Sequence, residues 1–298
     1  MGSRFEITVV ANDSITAKGH IDTAVGEISR IEQLISSWDP ASQTSEINRN
    51  AGNKPVKVDE ELYQLIARAI GISKLTDGAF DITYASMDNI WRFDGSMIQM
   101  PSEEMIKKSV AKVGYQNLVL DEQNRSVFLK NPGMKIGFGA IGKGYAADRA
   151  KALLIEKGVV SGIINASGDM NTWGKQRLGE PWKVAITNPL DKNKAFALLP
   201  ITDGAVVTSG NYEKFVTLNN KRYSHIIDPR TGYPSSGIVS VTVFAKKAEL
   251  ADALATSVFV MGKETGLNRI NQLPKVECII IDDKGNITKS TNIAIDKL

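Results

Sequence analysis

Apolar and polar positions recur with two different periods along the chain, and each period predicts a different element. Residues 5–9 alternate apolar and polar side chains, which predicts a half-buried strand over residues 4–10. Residues 17–36 carry apolar side chains at helical spacing, which predicts a first helix. A second helix is predicted after Asp59, whose carboxylate is suited to cap it. The polar segment between these helices, residues 36–49, is predicted to be a loop.

The rest of the chain mixes short strand patterns with two further helix patterns. One helix follows a glycine-rich stretch and ends at Lys157, and the other covers Ala248 to Met261, with Gly262 as its stop. Strands are predicted at residues 116–120, 126–129, 159–165, 182–187, 195–201, 205–208, 214–218, 221–224, 239–244, 276–281 and 286–289. Because regular βαβ alternation is absent, the pattern favours an α+β fold with mixed or antiparallel sheets packed against helices. We predict a single domain over residues 1–298, either one compact unit or two interlocked halves.

Composition and charge exclude only a few classes of protein. The 298 residues include 36 basic and 33 acidic side chains, a net charge of +3, which gives no indication of nucleic-acid binding. The single cysteine, Cys278, excludes an intrachain disulfide and a cysteine metal site, and its apolar surroundings predict a buried thiol. No apolar stretch is long enough to span a bilayer. The chain opens on MGSRFEITVV without a signal-peptide pattern, which leaves open a cytosolic protein or one that has lost an export segment.

The glycine-rich stretch KIGFGAIGKGYAADRA, residues 135–150, combines an apolar run, a glycine turn and a helix start. This arrangement lets backbone N–H groups approach an anion. The stretch contains G-x-G-x-x-G, but the nearest acidic residue that could complete a dinucleotide site, Asp169, comes late. It also contains G-x-x-x-x-G-K, but Gly144 stands where a P-loop needs Ser or Thr. A plain turn that packs a helix on a sheet is the third interpretation.

A carboxylate and a hydroxyl, Asp252 and Thr256, lie four residues apart on the predicted helix over Ala248 to Met261. Their side chains therefore share a face of that helix. Oxygen ligands of this kind suit a hard cation such as Mg²⁺. A plain helix surface is the alternative, but the flanking residues are nearly all apolar or small, and a buried carboxylate needs a partner.

Two histidines and two turn-rich segments complete the candidate chemistry. His20 falls at the start of a helix, which predicts a surface role, whereas His225 follows a strand and opens the loop HIIDPRTGYP. A neutral imidazole suits proton abstraction near neutral pH, although a structural histidine fits the position equally well. Thr208, after another strand, is suited to bind a ligand or simply to begin a loop. The sequence lacks G-x-S-x-G and any zinc signature.

Taken together, eight ordered blocks of the chain resemble the ApbE family, the FAD:protein FMN transferases. The blocks are MGSRFEI, SSWDPASQTSEIN, DGAFDIT, GFGAIGKGYAADRA, INASGDM, VTSGNYE, HIIDPRTGYP and ADALATSVFVMG. They run nearly end to end in the family's order, which makes the match more specific than any single motif. The resemblance implies a Mg²⁺-dependent enzyme that cleaves FAD, attaches FMN through a phosphoester to a threonine of a target protein, and releases AMP.

The resemblance also implies roles for individual residues. Asp252, Thr256 and the backbone carbonyl of Ala140 would hold Mg²⁺, and Lys143 would contact the pyrophosphate. His225 is similar to the histidine that deprotonates the acceptor threonine. The residues implied to line the FAD site, besides Lys143, are Met1, Trp38, Ala79, Phe80, Asp81, Thr208 and Ile226.

One departure from the family pattern bears on flavin binding. Where the family commonly has Asp-Leu-Gly-Gly-Ile-Ala-Lys-Gly-Tyr, this chain has Gly-Phe-Gly-Ala-Ile-Gly-Lys-Gly-Tyr, so Gly137 replaces an acidic residue associated with flavin binding. Two alternative functions stay open: Mg²⁺-dependent hydrolysis of FAD to FMN and AMP, with water in place of the threonine, and FAD binding without catalysis, which Gly137 motivates. The resemblance implies acceptors such as flavin-carrying subunits of redox-driven ion pumps or FMN-binding domains. It also implies an extracytoplasmic, periplasmic protein that is lipid-anchored in its native form.

Overall fold

The computed structural model describes residues 2–188, 191–211, 215–219 and 221–293. The strands are β1 (Phe5–Val9), β2 (Val56–Lys57), β3 (Leu118–Asp121), β4 (Ser126–Leu129), β5 (Gly162–Ala166), β6 (Asp169–Trp173), β7 (Trp182–Asn188), β8 (Asp191–Ile201), β9 (Gly204–Gly210), β10 (Phe215–Leu218), β11 (Lys221–Ser224), β12 (Ile238–Ala245), β13 (Glu277–Asp282) and β14 (Ile287–Lys289). The α-helices are α1 (Ser14–Ile35), α2 (Gln43–Arg49), α3 (Glu60–Leu75), α4 (Glu103–Ser109), α5 (Gly142–Glu156), α6 (Ala248–Met261) and α7 (Lys263–Asn271). Short 3₁₀ helices cover Ile82–Ser86 and Tyr115–Asn117.

A seven-stranded sheet in the order β1-β5-β6-β9-β12-β13-β14 forms the centre of the fold. Each pair of neighbouring strands in it is antiparallel. The described residues also form the smaller sheets β2-β4-β3, β7-β8 and β10-β11. The architecture confirms the predicted α+β class with antiparallel sheets and packed helices.

Both faces of the central sheet are covered. Successive residues of a strand point to opposite faces, so neighbouring residues of β12 show what packs on each side. Val241 and Val243 of β12 belong to a core cluster with α5, α6 and α7, whereas Phe244 packs with Ile186 of β7 and Ile279 of β13. α6 is buried nearly all round, which explains why its sequence carries few polar residues. The site described below lies where α5 and α6 meet over this sheet.

A second core cluster lies beside the first. It joins the inner faces of α1 and α3 with the small sheet β2-β4-β3 and with the segment that precedes α5. Phe5 and Leu250 pack against both clusters. The single-domain assignment stays a prediction.

Residues 43–49 form α2, so the prediction of a loop over residues 36–49 is wrong in its second half. Ser42 caps this helix by accepting a hydrogen bond from the Ser45 backbone N–H at 3.0 Å, and Ile47 is buried. The predicted cap by Asp59 is also wrong, because Asp59 stands at the N-cap position but makes no side-chain cap bond. Its carboxylate accepts a hydrogen bond from the Gln43 side chain at 2.5 Å instead.

Two further sequence predictions concern the single cysteine and membrane-spanning helices. Cys278 is buried as predicted, and burial raises the pKa of its thiol to about 12, so it stays protonated. Within the part of the chain that the structure describes, none of the helices combines the length and the apolar character that crossing a membrane requires.

Candidate active site

Helices α5 and α6 approach each other closely at Gly144. A Cβ placed on Gly144 would lie 2.2 Å from the Ala248 carbonyl oxygen and 2.8 Å from the Glu249 nitrogen. Any larger side chain would therefore push the two helices apart. This contact explains why glycine stands where a P-loop needs Ser or Thr.

The same two helices cap each other at their N-termini. The backbone N–H of Gly144, in the first turn of α5, donates to Oδ2 of Asp252 on α6 at 3.1 Å. In return, Asp148 of α5 accepts hydrogen bonds from the Ala248 and Glu249 backbone N–H groups of α6, each at 2.9 Å. The first N–H groups of a helix lack intrahelical partners, so each helix supplies the carboxylate that the other needs.

Asp252 and Thr256 face the interior, as a ligand pair would. Asp252 is 3% exposed and Thr256 is half-buried, so the interpretation of this pair as a plain helix surface is wrong. The Thr256 hydroxyl lies 3.4 Å from the Ser209 hydroxyl on β9. Burial raises the pKa of Asp252, and the Lys143 charge and the Gly144 N–H oppose that shift.

Lys143 extends from the first turn of α5 to a second buried carboxylate, that of Asp169 at the start of β6. The Lys143 ammonium donates to Oδ2 of Asp169, whose side chain is 1% exposed. Oδ1 of Asp169 has no hydrogen-bond partner among the described residues. Burial, and then the nearby Asp252 charge, raise the pKa of Asp169 to about 8, against the opposing effect of Lys143.

The glycine turn before α5 packs against Tyr84. A Cβ on Gly139 would lie 2.5 Å from the Tyr84 hydroxyl, and one on Gly137 would lie 3.1 Å from the Ala85 Cβ and 3.6 Å from the same hydroxyl. Tyr84 as a whole is 39% exposed, but desolvation raises the pKa of its hydroxyl, and a hydrogen bond with the Gly139 backbone opposes the shift. Tyr84 and Ala85 thus fill the space beside Gly137, which leaves little room there for a larger side chain.

The predicted flavin contacts in residues 79–81 are buried. Ala79 and Phe80 are 1% and 2% exposed, and Phe80 packs in the core cluster with α3. The Asp81 carboxylate accepts three hydrogen bonds, from the Thr83 backbone N–H at 2.8 Å, the Thr83 hydroxyl at 2.7 Å and the Tyr115 backbone N–H at 2.7 Å. With these bonds, Asp81 fixes the loop over residues 77–83.

The remaining predicted residues lie on other elements. Trp38 is 92% exposed in the loop after α1. Thr208 of β9 shares a hydrogen bond of 2.9 Å with Thr242 of β12. Met1 lies outside the described residues. Their predicted roles at the FAD site stay predictions.

His225 and Ile226 follow β11 directly. His225 is exposed, and its ring meets the Phe93 ring edge-on with centroids 6.5 Å apart. Ile226 packs partly against the main core. In the loop that they open, the Arg230 backbone N–H donates to Asp228 Oδ1 at 2.9 Å.

The structure thus brings together five residues at one place: Lys143, Asp169, Ser209, Asp252 and Thr256. Among the described residues, no group of three or more His, Cys, Asp or Glu side chains forms a metal site. A cation at this place would therefore have at most the carboxylates of Asp169 and Asp252, the hydroxyls of Ser209 and Thr256, and main-chain or substrate oxygens as donors. Such oxygen donors suit a hard cation better than zinc or copper.

Sequence reasoning missed three residues of this region. Asp169 entered only as a late acidic residue of a dinucleotide motif, although the block INASGDM contains it. Asp148 and Tyr84 were not singled out. Helical spacing placed Asp148 near the start of α5, but its task depends on α6, which lies 100 residues later.

Comparison with known proteins identifies the class. The ApbE family model matches residues 1–280, so the chain belongs to the ApbE family. It is 34% identical over 266 residues to an FAD:protein FMN transferase of Klebsiella pneumoniae (strain 342), covering 89% of this chain and 82% of the relative. It is 35% identical over 239 residues to the enzyme of the same name from Escherichia coli (strain K12), covering 78% and 68%.

Solved structures agree with this assignment. The ApbE protein of Thermotoga maritima superposes with a TM-score of 0.88 at 33% identity, covering 97% of this chain and 94% of that one. The flavin transferase ApbE of Vibrio cholerae superposes with a TM-score of 0.83 at 29% identity, covering 98% and 94%. The family predicted from the eight sequence blocks is confirmed.

Proposed function

We propose that this protein is a Mg²⁺-dependent FAD:protein FMN transferase that moves FMN from FAD to a threonine hydroxyl of an acceptor protein. One observation carries the proposal: in a chain of the ApbE family, the α5 N-terminus holds Lys143 next to the inward-facing pair Asp252 and Thr256. A helix N-terminus attracts anionic groups, and an adjacent ammonium adds positive charge. The diphosphate of FAD matches this arrangement.

The reaction exchanges one phosphorus–oxygen bond for another. The threonine oxygen of the acceptor forms a bond to the FMN phosphorus, and the bond from that phosphorus to AMP breaks. The threonine proton leaves to a base, and the electron pair of the broken bond stays on AMP. The product is a phosphoester between FMN and the acceptor.

The Lys143 ammonium supplies positive charge at the candidate diphosphate position. It offsets the negative charge that repels an incoming hydroxyl, and the site is largely shielded from water, which strengthens that effect. The N-terminal turn of α5 fixes the position of the lysine backbone. Positioning of the diphosphate beside Lys143 would align the scissile bond with the acceptor.

A divalent cation fits the donor set next to Lys143. Asp252, Thr256 and the backbone carbonyl of Ala140 would hold Mg²⁺, because the buried Asp252 carboxylate needs a compensating charge. When bound, the ion supplies neutralisation of the diphosphate and of the departing AMP. Asp252 also holds the Gly144 N–H, so the carboxylate is oriented before any ion arrives.

His225 is the base of the proposed mechanism. Its exposed position after β11 is accessible to a macromolecular acceptor, and a neutral imidazole accepts a proton near neutral pH. Such base catalysis contributes a factor of roughly 10²–10⁴ in rate. His225→Ala should therefore slow transfer and leave FAD binding largely unchanged.

The flavin half of FAD would contact residues on three segments. Trp38 offers an exposed indole ring, which suits stacking on an isoalloxazine. Asp81 fixes the loop of Ala79 and Phe80, and the flavin contacts of these two buried residues rest on the family resemblance. Ile226, next to the proposed base, would complete this side together with Thr208 and Met1.

The proposal extends to acceptors and location. We infer that acceptors are flavin-carrying subunits of redox-driven ion pumps or separate FMN-binding domains, and that the native protein works outside the cytoplasm with a lipid anchor. Both statements rest on the family resemblance. Fractionation of cells that express the full native gene tests the location: recovery in the cytosol alone would contradict it.

Measurement of AMP with and without acceptor tests the activity. The protein is incubated with FAD, Mg²⁺ and a candidate acceptor, and AMP is quantified together with covalent flavin. Transfer predicts AMP and bound flavin in equal amounts, and only when acceptor is present. AMP without acceptor would indicate hydrolysis of FAD, and FAD binding without AMP would indicate a non-catalytic flavin carrier, the reading that Gly137 motivates.

Asp252→Asn and Asp22→Asn form a matched pair for this assay. Asp252 is buried at the site, whereas Asp22 is an exposed α1 residue paired with Lys18. We expect Asp252→Asn to abolish AMP formation and Asp22→Asn to retain it. Equal loss in both variants would show that the assay does not report on the metal pair.

A further inference from the structure

Asp169 is a buried carboxylate to which the mechanism above gives no role. It opens β6 directly after a turn in which Ser167 and Gly168 have left-handed backbone conformations, with φ of +53° and +99°. The Gly168 N–H donates to the Asn165 side-chain oxygen at 2.8 Å, and the Ser167 hydroxyl donates to the Arg4 carbonyl at 3.0 Å. These bonds fix the turn, so the backbone of Asp169 is held in place independently of its side chain.

The two oxygens of Asp169 differ in their partners. Oδ2 accepts a hydrogen bond from the Lys143 ammonium, whereas Oδ1 is buried and has no hydrogen-bond partner among the described residues. The Asp169 side chain is 1% exposed and that of Lys143 is 26% exposed. A buried ion pair contributes little net stability and costs more when an oxygen is left unsatisfied. Stability alone is therefore a poor reason for this pair.

Lys143 gains something specific from the pair. Its ammonium stands on a flexible four-carbon stem, which would sample many rotamers without an anchor. An ammonium that is fixed before the substrate binds avoids that ordering cost during binding. Burial raises the pKa of both Asp169 and Asp252, and the Lys143 charge opposes the shift in each, so the ammonium acts on both carboxylates.

We propose that Asp169 is a positioning residue for the transfer reaction, whose carboxylate holds the Lys143 ammonium where the diphosphate of FAD binds. The inference rests on the proposed function for the identity of that diphosphate. In this role Asp169 acts through Lys143. The Asp169–Lys143 pair connects β6 of the central sheet to α5, the helix whose N-terminus would bind the diphosphate.

A double-mutant cycle tests whether Asp169 acts through Lys143. Asp169→Asn keeps the size of the side chain and removes its charge. We expect Asp169→Asn and Lys143→Met each to lower kcat/KM for transfer by about 10- to 100-fold. The double variant should be no worse than Lys143→Met, within about twofold, because the carboxylate has no further effect once the lysine is gone.

Asp203→Asn serves as the matched control. Asp203 pairs with Lys151 and Lys246 beside the far end of β6, so the variant breaks lysine–carboxylate pairs without touching Lys143. Asp203→Asn should change kcat/KM only slightly. In the double variant with Lys143→Met, the two fold-changes should multiply. If the effects of Asp169→Asn and Lys143→Met also multiply, Asp169 acts on its own, as a metal ligand or a structural group, and the proposal is overturned.

A second readout is independent of turnover. In the ligand-free protein, whose folding is checked by cooperative thermal unfolding, we measure the rate at which an amine-selective reagent modifies Lys143 by peptide mass spectrometry. Asp169→Asn should raise that rate severalfold, and Asp203→Asn should leave it unchanged. An unchanged rate in Asp169→Asn overturns the proposal. A raised rate in a protein that transfers no FMN contradicts the proposed function and leaves the placement of Lys143 by Asp169 standing.

Discussion

The backbone N–H of Gly144 donates a hydrogen bond to Oδ2 of Asp252 at 3.1 Å, across 108 residues of chain. This bond ties the glycine turn that precedes α5 to the helix that carries the candidate metal ligands. It also orients the Asp252 carboxylate. The geometry of the site therefore depends on how closely α5 and α6 pack, and substitutions at that contact are the most informative.

Gly144→Ala tests the close approach of the two helices. Its Cβ would lie 2.2 Å from the Ala248 carbonyl oxygen, so backbone has to move. We expect a loss of at least about 1–3 kcal/mol in the free energy of unfolding, measured with urea, and loss of transfer. Gly26→Ala on the exposed side of α1, where a Cβ meets nothing within 4 Å, is the control and should be neutral or stabilising by up to about 1 kcal/mol. Equal stability of the two variants would contradict the packing argument.

Asp148→Ala tests the cap that α5 supplies to α6. The variant loses acceptors for Ala248 and Glu249 N–H groups and for the Asn171 amide, at 2.9, 2.9 and 2.6 Å. Loss of a cap costs about 0.5–2 kcal/mol. Asp148→Asn keeps one acceptor oxygen and should unfold at an intermediate urea concentration. We also expect a higher Mg²⁺ requirement for transfer in the alanine variant, and identical urea midpoints for all three proteins would exclude the cap.

Glu27 gives a pH-dependent contribution to stability. Its carboxylate accepts two hydrogen bonds from Arg30, both at 2.8 Å, and these lower its pKa below the usual 4.5 despite burial. A lowered pKa stabilises the folded state above pH 4.5, and this stabilisation disappears as the pH falls through the folded-state pKa. Glu27→Gln should cost about 1–3 kcal/mol at neutral pH.

That cost should shrink as the pH falls. Urea unfolding of the wild type and of Glu27→Gln at a series of pH values between about 7 and 3 measures the difference in free energy of unfolding. We expect the two curves to converge at the acidic end. A difference that is constant, or that grows toward low pH, would contradict the role of the Arg30 pair.

The contact between Gly139 and Tyr84 predicts a size-compensating pair of substitutions. A Cβ on Gly139 would lie 2.5 Å from the Tyr84 hydroxyl. Gly139→Ala should therefore lower the melting temperature and weaken FAD binding, and Tyr84→Phe in the same chain should restore part of both. Fluorescence titration with FAD measures the binding. If Tyr84→Phe lowers the melting temperature or FAD affinity of the Gly139→Ala variant further, the explanation by steric overlap with the hydroxyl is contradicted.

Local sequence patterns predicted those helices and strands that depend little on contacts with distant residues. The bounds of α6, Ala248 to Met261, agree with the sequence prediction, because a continuous apolar run ends at Gly262, which adopts a φ of +83°. Asp252 and Thr256 were found for the same reason, since helical spacing alone places them on one face. The short helices α2, α4 and α7 were missed because their apolar residues are few, and α2 depends on its Ser42 cap and the burial of Ile47.

Partners that are distant in sequence could not be predicted in this way. The pairing of Lys143 with Asp169 bridges 26 residues and the contact of Asp148 with Ala248 bridges 100, and neither leaves a periodic signal. The requirement for glycine at position 144 likewise comes from Ala248 on another helix. Family resemblance supplied candidate roles at the site, whereas the structure supplied the contacts that explain why these residue types stand there.

Peptide mass spectrometry of an acceptor protein tests the central claim most directly. The acceptor is incubated with FAD, Mg²⁺ and either the wild-type protein or Asp252→Asn, and its threonine-containing peptides are compared. We predict a threonine peptide that carries one FMN phosphoester after incubation with the wild type, and the unmodified peptide with Asp252→Asn. Unmodified threonine with the wild type across several acceptors, or undiminished modification with Asp252→Asn, would contradict the account.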